Sequence, residues 1–307
     1  MSTLKQRFLL VSDMHYTMDQ PTKEWKLAHP EVKPSAAAVH AFGKTQREKI
    51  EKIYEDILTE HQQSPLDAVL VLGDLSIDDY DYRKLPINYC KRFKEELMDR
   101  LPCPSYAIPG NHDSWPNALW KEFMGRDRRF SVEIGDVAFL MEDSFANVPA
   151  LPNDPASGAG FTPMDADFLR SCLQKHQGKH IFLCAHHVHA AGRSFSDECR
   201  ALLRESRDLI WLFRGHTHVA GVYEGCDGTG GKTLIDIGGY GYEGVMVEAR
   251  LDFNVFDEKW AWGYQILEIY DDKIRTYHVR TDNVYHATNG EFSVSKRRER
   301  VLEHPIL

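Results

Sequence analysis

The 307-residue sequence has no hydrophobic run that approaches the ~20 residues of a membrane-spanning helix. Its first apolar run, Phe8 to Val11, is too short for the core of a secretory signal. The 6 cysteines form no C-x-x-C pair, and no N-x-S/T glycosylation acceptor occurs. These absences predict a cytoplasmic protein with reduced thiols and no membrane partner.

Positive charge is outnumbered by negative charge in this chain. Lys and Arg number 37 against 46 for Asp and Glu, which gives a formal net charge of -9. A protein that grips the nucleic acid backbone needs the opposite balance, so long nucleic acid is not an expected partner. The short basic cluster at 296–300 is typical of a solvated face. Because no internal repeat or low-complexity tract divides the chain, we expect a single domain over residues 1–307.

Short apolar runs, each followed by a polar or glycine-rich turn, have the length of buried strands. They are Phe8–Ser12, Ala68–Leu72, Ser105–Ile108, His180–Ala185 and Leu209–Phe213. Apolar residues recur with helical spacing over Thr45–Gln63. A second helix is predicted to begin at Thr162, where Thr-Pro-x-Asp supplies a capping hydroxyl, a first-position proline and an acidic residue.

Two stretches predict hairpins and therefore antiparallel strands. Arg129–Ser144 turns at Gly135-Asp136, and the C-terminal stretch 260–280 turns at Asp271-Asp272. Strands that alternate with helices predict parallel pairs elsewhere. We therefore expect an α/β fold with two mixed β-sheets face to face, flanking helices outside, and the C-terminal hairpin closing the second sheet. The irregular, proline-containing segment 16–44 is predicted to form a lid.

Residue types that bind metals follow each of the five predicted strands. In chain order the strings are Asp13-Met14-His15, Gly73-Asp74, Gly110-Asn111-His112-Asp113, His186-His187 and Gly215-His216-Thr217-His218. Ligands of open α/β sheets gather outside the carboxyl ends of the strands. Residues that are far apart in sequence are therefore expected to meet at one crevice and bind metal there.

In this order and wording, the five strings resemble the motif blocks of the calcineurin-like metallophosphoesterases. The resemblance spans residues 13 to 218. It implies a four-layer α/β/β/α sandwich and a metal-dependent phosphoesterase activity, and it leaves the substrate open.

The resemblance also implies a dinuclear metal centre. One ion would be bound by Asp13, His15 and His218, the other by Asn111, His186 and His216, and Asp74 would bridge the two. Two divalent ions with a bridging hydroxide would leave the centre positive and suited to an anionic phosphate, because the ligands supply only two carboxylates. This donor set suits manganese, iron or zinc without distinguishing among them.

His112 is implied to assist catalysis and not to bind metal. In the family the equivalent histidine faces the leaving group, to which a protonated imidazole can donate a proton. Many members carry an orienting carboxylate in a Gly-Asp-x-x-Asp string, but here Asp78 comes one residue later, so Asp78 and Asp113 are both alternatives for that role. We prefer His186 over His187 as the ligand because it comes first after the apolar run.

The predicted reaction is hydrolysis of a small phosphodiester or phosphomonoester, with nucleotides as one candidate class, by attack of a metal-bound hydroxide. Trp25, Tyr80 and Tyr82 lie in loops expected near the crevice, where they either stack on a base or pack within the fold. Two alternatives are a protein-interaction scaffold with this fold and a phosphoprotein phosphatase. A scaffold would be expected to have lost ligands, and no groove sequence typical of the phosphatase is recognisable.

Overall fold

The computed structural model describes residues 2–16, 27–28, 46–76, 88–113, 115–145, 162–189, 194–240, 254–255, 263–281 and 296–306. The strands are β1 (Leu4–Val11), β2 (Ala68–Leu72), β3 (Ser105–Ile108), β4 (Phe130–Ile134), β5 (Val137–Glu142), β6 (His180–Ala185), β7 (Leu209–Arg214), β8 (Ala220–Tyr223), β9 (Thr233–Ile237), β10 (Asn254–Val255), β11 (Gly263–Tyr270), β12 (Lys273–Thr281) and β13 (Lys296–Pro305). The α-helices are α1 (Gln46–Gln63), α2 (Tyr89–Glu96), α3 (Asn117–Met124), α4 (Ala166–Lys175) and α5 (Asp197–Glu205).

The described strands form two mixed sheets. One has 6 strands in the order β13-β12-β11-β1-β2-β3, and the other has 7 in the order β10-β8-β9-β7-β6-β5-β4. The centre of each sheet is parallel, through β1, β2 and β3 in the first and through β5, β6, β7 and β9 in the second. The remaining pairs are antiparallel. The predicted combination of parallel units and hairpins is confirmed.

Alternating side chains of β1 show how the layers are stacked. Phe8 and Leu10 lie in the core between the two sheets, whereas Leu9 and Val11 lie in the core under α1, α2 and α3. On the far side, α4 and α5 cover the outer face of the second sheet. Both faces of each sheet are thus buried, which is why the central strands read as continuous apolar runs. The order of layers is α/β/β/α, as predicted.

The C-terminal hairpin was expected to close the second sheet, and that expectation is wrong. β11 and β12 do form an antiparallel hairpin, but β11 pairs with β1 and extends the first sheet. β1 has β2 on only one side, so its other edge is free to accept β11. The second sheet is extended instead by β8, β9 and β10.

The helix predicted to begin at Thr162 starts later, at Ala166. The Asp165 carboxylate caps it by accepting hydrogen bonds from the backbone N–H groups of Asp167 (2.9 Å) and Phe168 (3.1 Å). Thr162 N donates to Ser144 O at 2.6 Å, which ties the preceding residues to the loop after β5. Asp and Thr are both good caps, but the N–H of Met164, one of those that a cap at Thr162 would bond, donates instead to Ser194 O at 2.9 Å.

Several predicted features lie outside the described residues, namely Trp25, Asp78, Tyr80, Tyr82 and, apart from Tyr16 and residues 27–28, the predicted lid 16–44. Tyr16 itself is buried and forms a β-bridge with Ser76. All 6 cysteines of the chain are free thiols. Within the described ranges, no helix is both long and apolar enough to cross a membrane.

Candidate metal centre

The predicted ligands lie on loops that directly follow five parallel strands. β1, β2 and β3 deliver the loops with Asp13, Asp74 and Asn111 from the first sheet. β6 and β7 deliver those with His186 and His216 from the second sheet. These loops meet at one edge of the sandwich, as expected for the carboxyl ends of parallel strands.

The backbone at the predicted ligands is unusual. Positive φ angles occur at six described residues other than glycine, and five of these are predicted ligands: Asp13 (57°), His15 (47°), Asp74 (51°), His216 (72°) and His218 (62°). The left-handed region is uncommon for residues with a Cβ, and such strain concentrates at functional sites. These sharp turns point side chains from neighbouring positions toward one point.

Hydrogen bonds from backbone amides hold four of the five loops against one another. His15 N donates to Asp74 O at 3.0 Å, and His216 N donates to Asp13 Oδ2 at 3.0 Å. His112 N donates to Asp74 Oδ1 at 2.9 Å. In the carboxylates of Asp13 and Asp74, one oxygen thus accepts a hydrogen bond from an amide, and the other oxygen faces the centre.

One group of donors consists of Asp13, His15, Asp74 and His218, whose ligand atoms all lie within 4.8 Å of one another. His15 Nε2 is 3.4 Å from His218 Nε2 and 3.7 Å from Asp74 Oδ2. His218 Nε2 is 3.2 Å from Asp13 Oδ1. All four residues are buried. Two imidazoles and two carboxylates converge here without a thiolate.

A second group shares Asp74 and adds His186 and His216. His186 Nε2 is 3.3 Å from Asp74 Oδ2 and 3.2 Å from Asn111 Oδ1. His216 Nδ1 is 2.9 Å from the same amide oxygen of Asn111. The two groups thus join at Asp74, and the membership of each matches the division that the family resemblance implies.

His186 and His187 lie in different surroundings. His186 Nδ1 donates to Leu72 O at 2.7 Å, which directs Nε2 toward Asp74. The ring of His187 packs edge-on against that of His216, with centroids 4.6 Å apart. Burial, assisted by the charge of Arg214, holds the pKa of His187 well below its ordinary value. This geometry favours His186 as the ligand.

The electrostatics of the site suit cation binding. Burial is the main reason that the pKa values of His15 and His216 are well below the ordinary range, so both imidazoles are neutral near pH 7. Burial acts to raise the pKa of Asp74, but the charges of His186 and His112 outweigh it and hold that pKa well below its ordinary value. Burial acts to lower the pKa of His186, but Asp74 outweighs it and raises the value to about 9. A ligating imidazole must be neutral, so cation binding there would displace a proton.

Two metal ions fit the donors present. Asp13 Oδ1 is buried and has no hydrogen-bond partner among the described residues. A buried carboxylate oxygen without a donor is costly unless a cation or another charged group compensates it. Imidazole, carboxylate and amide donors are the set that manganese, iron and zinc accept.

His112 and Asp113 adjoin the centre without belonging to either donor group. The half-buried His112 has its ring edge-on to that of His15, with centroids 5.1 Å apart. The buried Asp113 carboxylate accepts hydrogen bonds from backbone amides of both neighbouring loops: Gly110 N (2.8 Å), Ser76 N (2.9 Å) and Leu75 N (3.1 Å). Asp113 therefore holds the Asp74 loop to the Asn111 loop. Asp78, the alternative partner for His112, lies outside the described residues.

Two residues that contact the predicted ligands were missed at the level of sequence. Lys49 is buried on the inner face of α1 and donates its Nζ to His15 O at 2.8 Å. Phe145 packs against the rings of His186 and His216, at 5.9 and 6.4 Å between centroids. The position of Lys49 next to Ile50, on the apolar stripe of α1, was a signal in the sequence that this lysine is buried. No pattern in the sequence marked Phe145.

Two solved structures of similar fold are phosphatases by name. A dimetal phosphatase from Danio rerio matches with a TM-score of 0.59 and 13% identity, over 90% of this chain and 96% of its own. A purple acid phosphatase from yellow lupin matches with a TM-score of 0.57 and 14% identity, over 97% of this chain and 53% of its own. At these identities the likeness shows the fold alone.

A comparison with curated proteins gives no match. The model of the calcineurin-like phosphoesterase family, in contrast, matches residues 6–220, which include all the predicted ligands. Because this match covers more than half of the chain and coincides with the four-layer fold, the chain belongs to the calcineurin-like phosphoesterase family.

Proposed function

We propose that the protein is a dinuclear metal-dependent phosphoesterase that hydrolyses a small phosphomonoester or phosphodiester, including nucleotides as a candidate class. The observation that carries the proposal is the pair of donor groups that share Asp74. A bridging carboxylate between two imidazole-rich groups is the arrangement that places two ions side by side.

The two groups would hold one ion each, with Asp13, His15 and His218 on one side and Asn111, His186 and His216 on the other. When bound, two divalent ions supply neutralisation of the phosphoryl oxygens and a water of lowered pKa as the nucleophile. The protein fixes the donors in advance through the backbone bonds on Asp13 and Asp74. Preorganisation of this kind avoids reorganisation during the reaction.

His112 would supply the proton for the leaving group. Its backbone is anchored on Asp74 by the 2.9 Å bond, and its partly exposed ring adjoins the first donor group. A proton donor beside the centre, but outside the ligand groups, can reach an ester oxygen that the ions do not hold. The excess of 46 acidic over 37 basic residues disfavours long nucleic acid as a substrate, which supports a small one.

Every predicted ligand is present and lies in one of the two groups or against it, which supports catalysis over a scaffold role. The test is a hydrolysis panel of chromogenic monoesters and diesters, cyclic nucleotides and dinucleotides. The full chain is stripped with a chelator and then resupplied with manganese, iron or zinc. We expect metal-dependent hydrolysis of at least one small ester.

Asp74→Asn should abolish that activity, because an amide cannot bridge two cations as a carboxylate does. The matched control is Asp136→Asn, in the exposed turn between β4 and β5, which should keep the wild-type rate. Full activity without any metal, or equal activity of Asp74→Asn and wild type, would overturn the proposal.

A further inference from the structure

A buried ion pair lies directly behind the turn that carries His216 and His218. Arg214 ends β7, and its Nε donates to Asp236 Oδ2 on the neighbouring strand β9 at 2.8 Å. The two side chains are only 2% and 0% exposed. The pair is therefore enclosed within the second sheet, at the edge where the predicted ligands meet.

Asp236 holds the turn of His216 and His218 in place through hydrogen bonds. Its Oδ2 also accepts a hydrogen bond from the hydroxyl of Thr217, the residue between His216 and His218. Its Oδ1 accepts one from Gly238 N at 3.3 Å. Thr217 is completely buried, so this hydroxyl has no alternative partner in water. Both flanking histidines have left-handed backbone angles that need support from their surroundings.

Arg214 fastens the neighbouring loop to the same carboxylate. Its Nη1 donates to Val188 O, two residues after His186. The guanidinium carbon lies 4.8 Å from the centroid of the Tyr223 ring, and this stacking fixes the plane of the guanidinium group. A single side chain thereby connects the loop of His186 to the turn of His216 and His218.

Stability alone does not account for this pair. Burying two charges costs several kcal/mol each on general grounds, and well-packed apolar residues often serve as well or better. Burial raises the pKa of Asp236 to about 6 even though the Arg214 charge acts in the opposite direction. What an apolar replacement lacks is the set of directed bonds to Thr217 and Val188.

We infer that the Arg214–Asp236 pair is a positioning device that sets the spacing of His186, His216 and His218 and so the metal affinity of the centre. The inference rests on the dinuclear metal centre of the proposed function. Neither residue of the pair belongs to a donor group, and the pair acts through Thr217 and the Val188 carbonyl. Loss of a partner that orients a ligand typically weakens metal binding ~10–100-fold.

The chain offers a matched control in the Arg7–Glu60 pair. Its Nη2–Oε2 distance is 2.6 Å, and its side chains are 3% and 7% exposed. Arg7 lies within β1, ~20 Å of extended strand before the ligand Asp13 at the rise of ~3.3 Å per residue. A merely structural ion pair should behave in the same way at both places.

The experiment uses the full chain with Thr217→Val, Asp236→Asn and Arg214→Lys, and with Arg7→Lys and Glu60→Gln as controls. Manganese binding to the chelator-stripped proteins is followed by titration calorimetry, and unfolding by thermal circular dichroism. Thr217→Val keeps the ion pair and the side-chain shape, so it tests the inference even if the charge variants fail to fold.

We expect Thr217→Val and the folded charge variants to bind manganese ~10–100-fold more weakly. The controls should melt at lower temperature with unchanged affinity. Wild-type affinity in Thr217→Val and Asp236→Asn, or an equal loss in the controls, would overturn the inference. A wild-type protein that binds two ions but hydrolyses no ester would overturn the proposed function and leave this inference standing. A wild-type protein that binds none of manganese, iron and zinc would overturn both.

Discussion

Gly73 offers a way to disturb one metal position while leaving the other in place. It follows β2 with a φ of +88°, and a Cβ added there would lie 2.5 Å from His186 Nδ1 and 2.6 Å from its Cγ. Ordinary contacts between such atoms are ~3.5–4.0 Å. Gly73→Ala must therefore push the imidazole away by ~1 Å and disturb its 2.7 Å bond to Leu72 O.

The magnitude follows from two separate effects of Gly73→Ala. The left-handed backbone costs ~1–2 kcal/mol of folding free energy once a Cβ is present. A metal–ligand distance tolerates only ~0.2 Å, so a shift of ~1 Å should remove His186 from coordination. The second ion should then bind more weakly by at least the ~10–100-fold that loss of an orienting partner alone typically costs. The three atoms nearest to the added Cβ all belong to His186, so the first ion, held by Asp13, His15 and His218, should remain.

Gly178→Ala is the matched control. Gly178 has a φ of +81°, but a Cβ added there would have no atom within 4 Å. It precedes β6, at the opposite end of that strand from His186. The left-handed backbone should lower the free energy of unfolding by a similar amount in both variants.

The assay is calorimetric titration of chelator-stripped protein with manganese, paired with urea unfolding of each variant. Gly73→Ala should bind one ion normally and the second weakly, whereas Gly178→Ala should bind two like the wild type. Two ions bound with wild-type affinity by Gly73→Ala would refute the assignment of His186 as a ligand.

Four further outcomes are expected. His112→Ala should lower kcat ~10²–10⁴-fold with two ions still bound, whereas Asn111→Ala should lower metal affinity. Elemental analysis measures the bound metal, and loss of an ion in His112→Ala would contradict these roles. Crystals grown with excess manganese should show two ions bridged by Asp74, and ions lying away from that carboxylate would contradict the bridge. Burial raises the pKa of Glu142 from 4.5 to about 8, so the folded state keeps a proton that the unfolded chain loses, and wild-type stability falls as pH rises through this window. The free energy of unfolding of Glu142→Gln, measured by urea titration, should therefore rise relative to that of the wild type by ~1–4 kcal/mol between pH 5 and pH 8. A difference between the two proteins that does not change with pH would exclude the raised pKa. If residues 16–44 select substrate, shortening them to a glycine-serine linker should change the rate ratio between a bulky nucleotide ester and a small chromogenic ester, and a constant ratio would exclude a lid.

Local patterns were sufficient for most of the buried elements. Ala68–Leu72, Ser105–Ile108 and His180–Ala185 were predicted with the bounds that the structure shows. Strands covered on both faces must be apolar at every position, and the polar turn that follows marks where burial ends. The helix over Gln46–Gln63 was equally visible, because its apolar side chains repeat with the helical period.

Choices between locally equivalent alternatives were not decided by the sequence. Thr162 and Asp165 are both plausible helix caps, but the N–H of Met164, which a cap at Thr162 would bond, is taken by Ser194 O, and Asp165 caps the helix. The C-terminal hairpin could add to either sheet, and the free edge of β1 accepted it. Both decisions depend on contacts between residues that are distant in the chain.

By itself, the sequence determined which residue types follow each strand and, through their order, the family and the predicted ligands. It also determined the strand ends, because apolar runs and glycine-rich turns are local signals. Only the tertiary structure decided that His186 and not His187 faces Asp74, that Lys49 supports His15, and that Arg214 pairs with Asp236. These three contacts depend on the direction of the backbone and on loops that are distant in the chain coming together. The local spacing of residues in the sequence encodes neither.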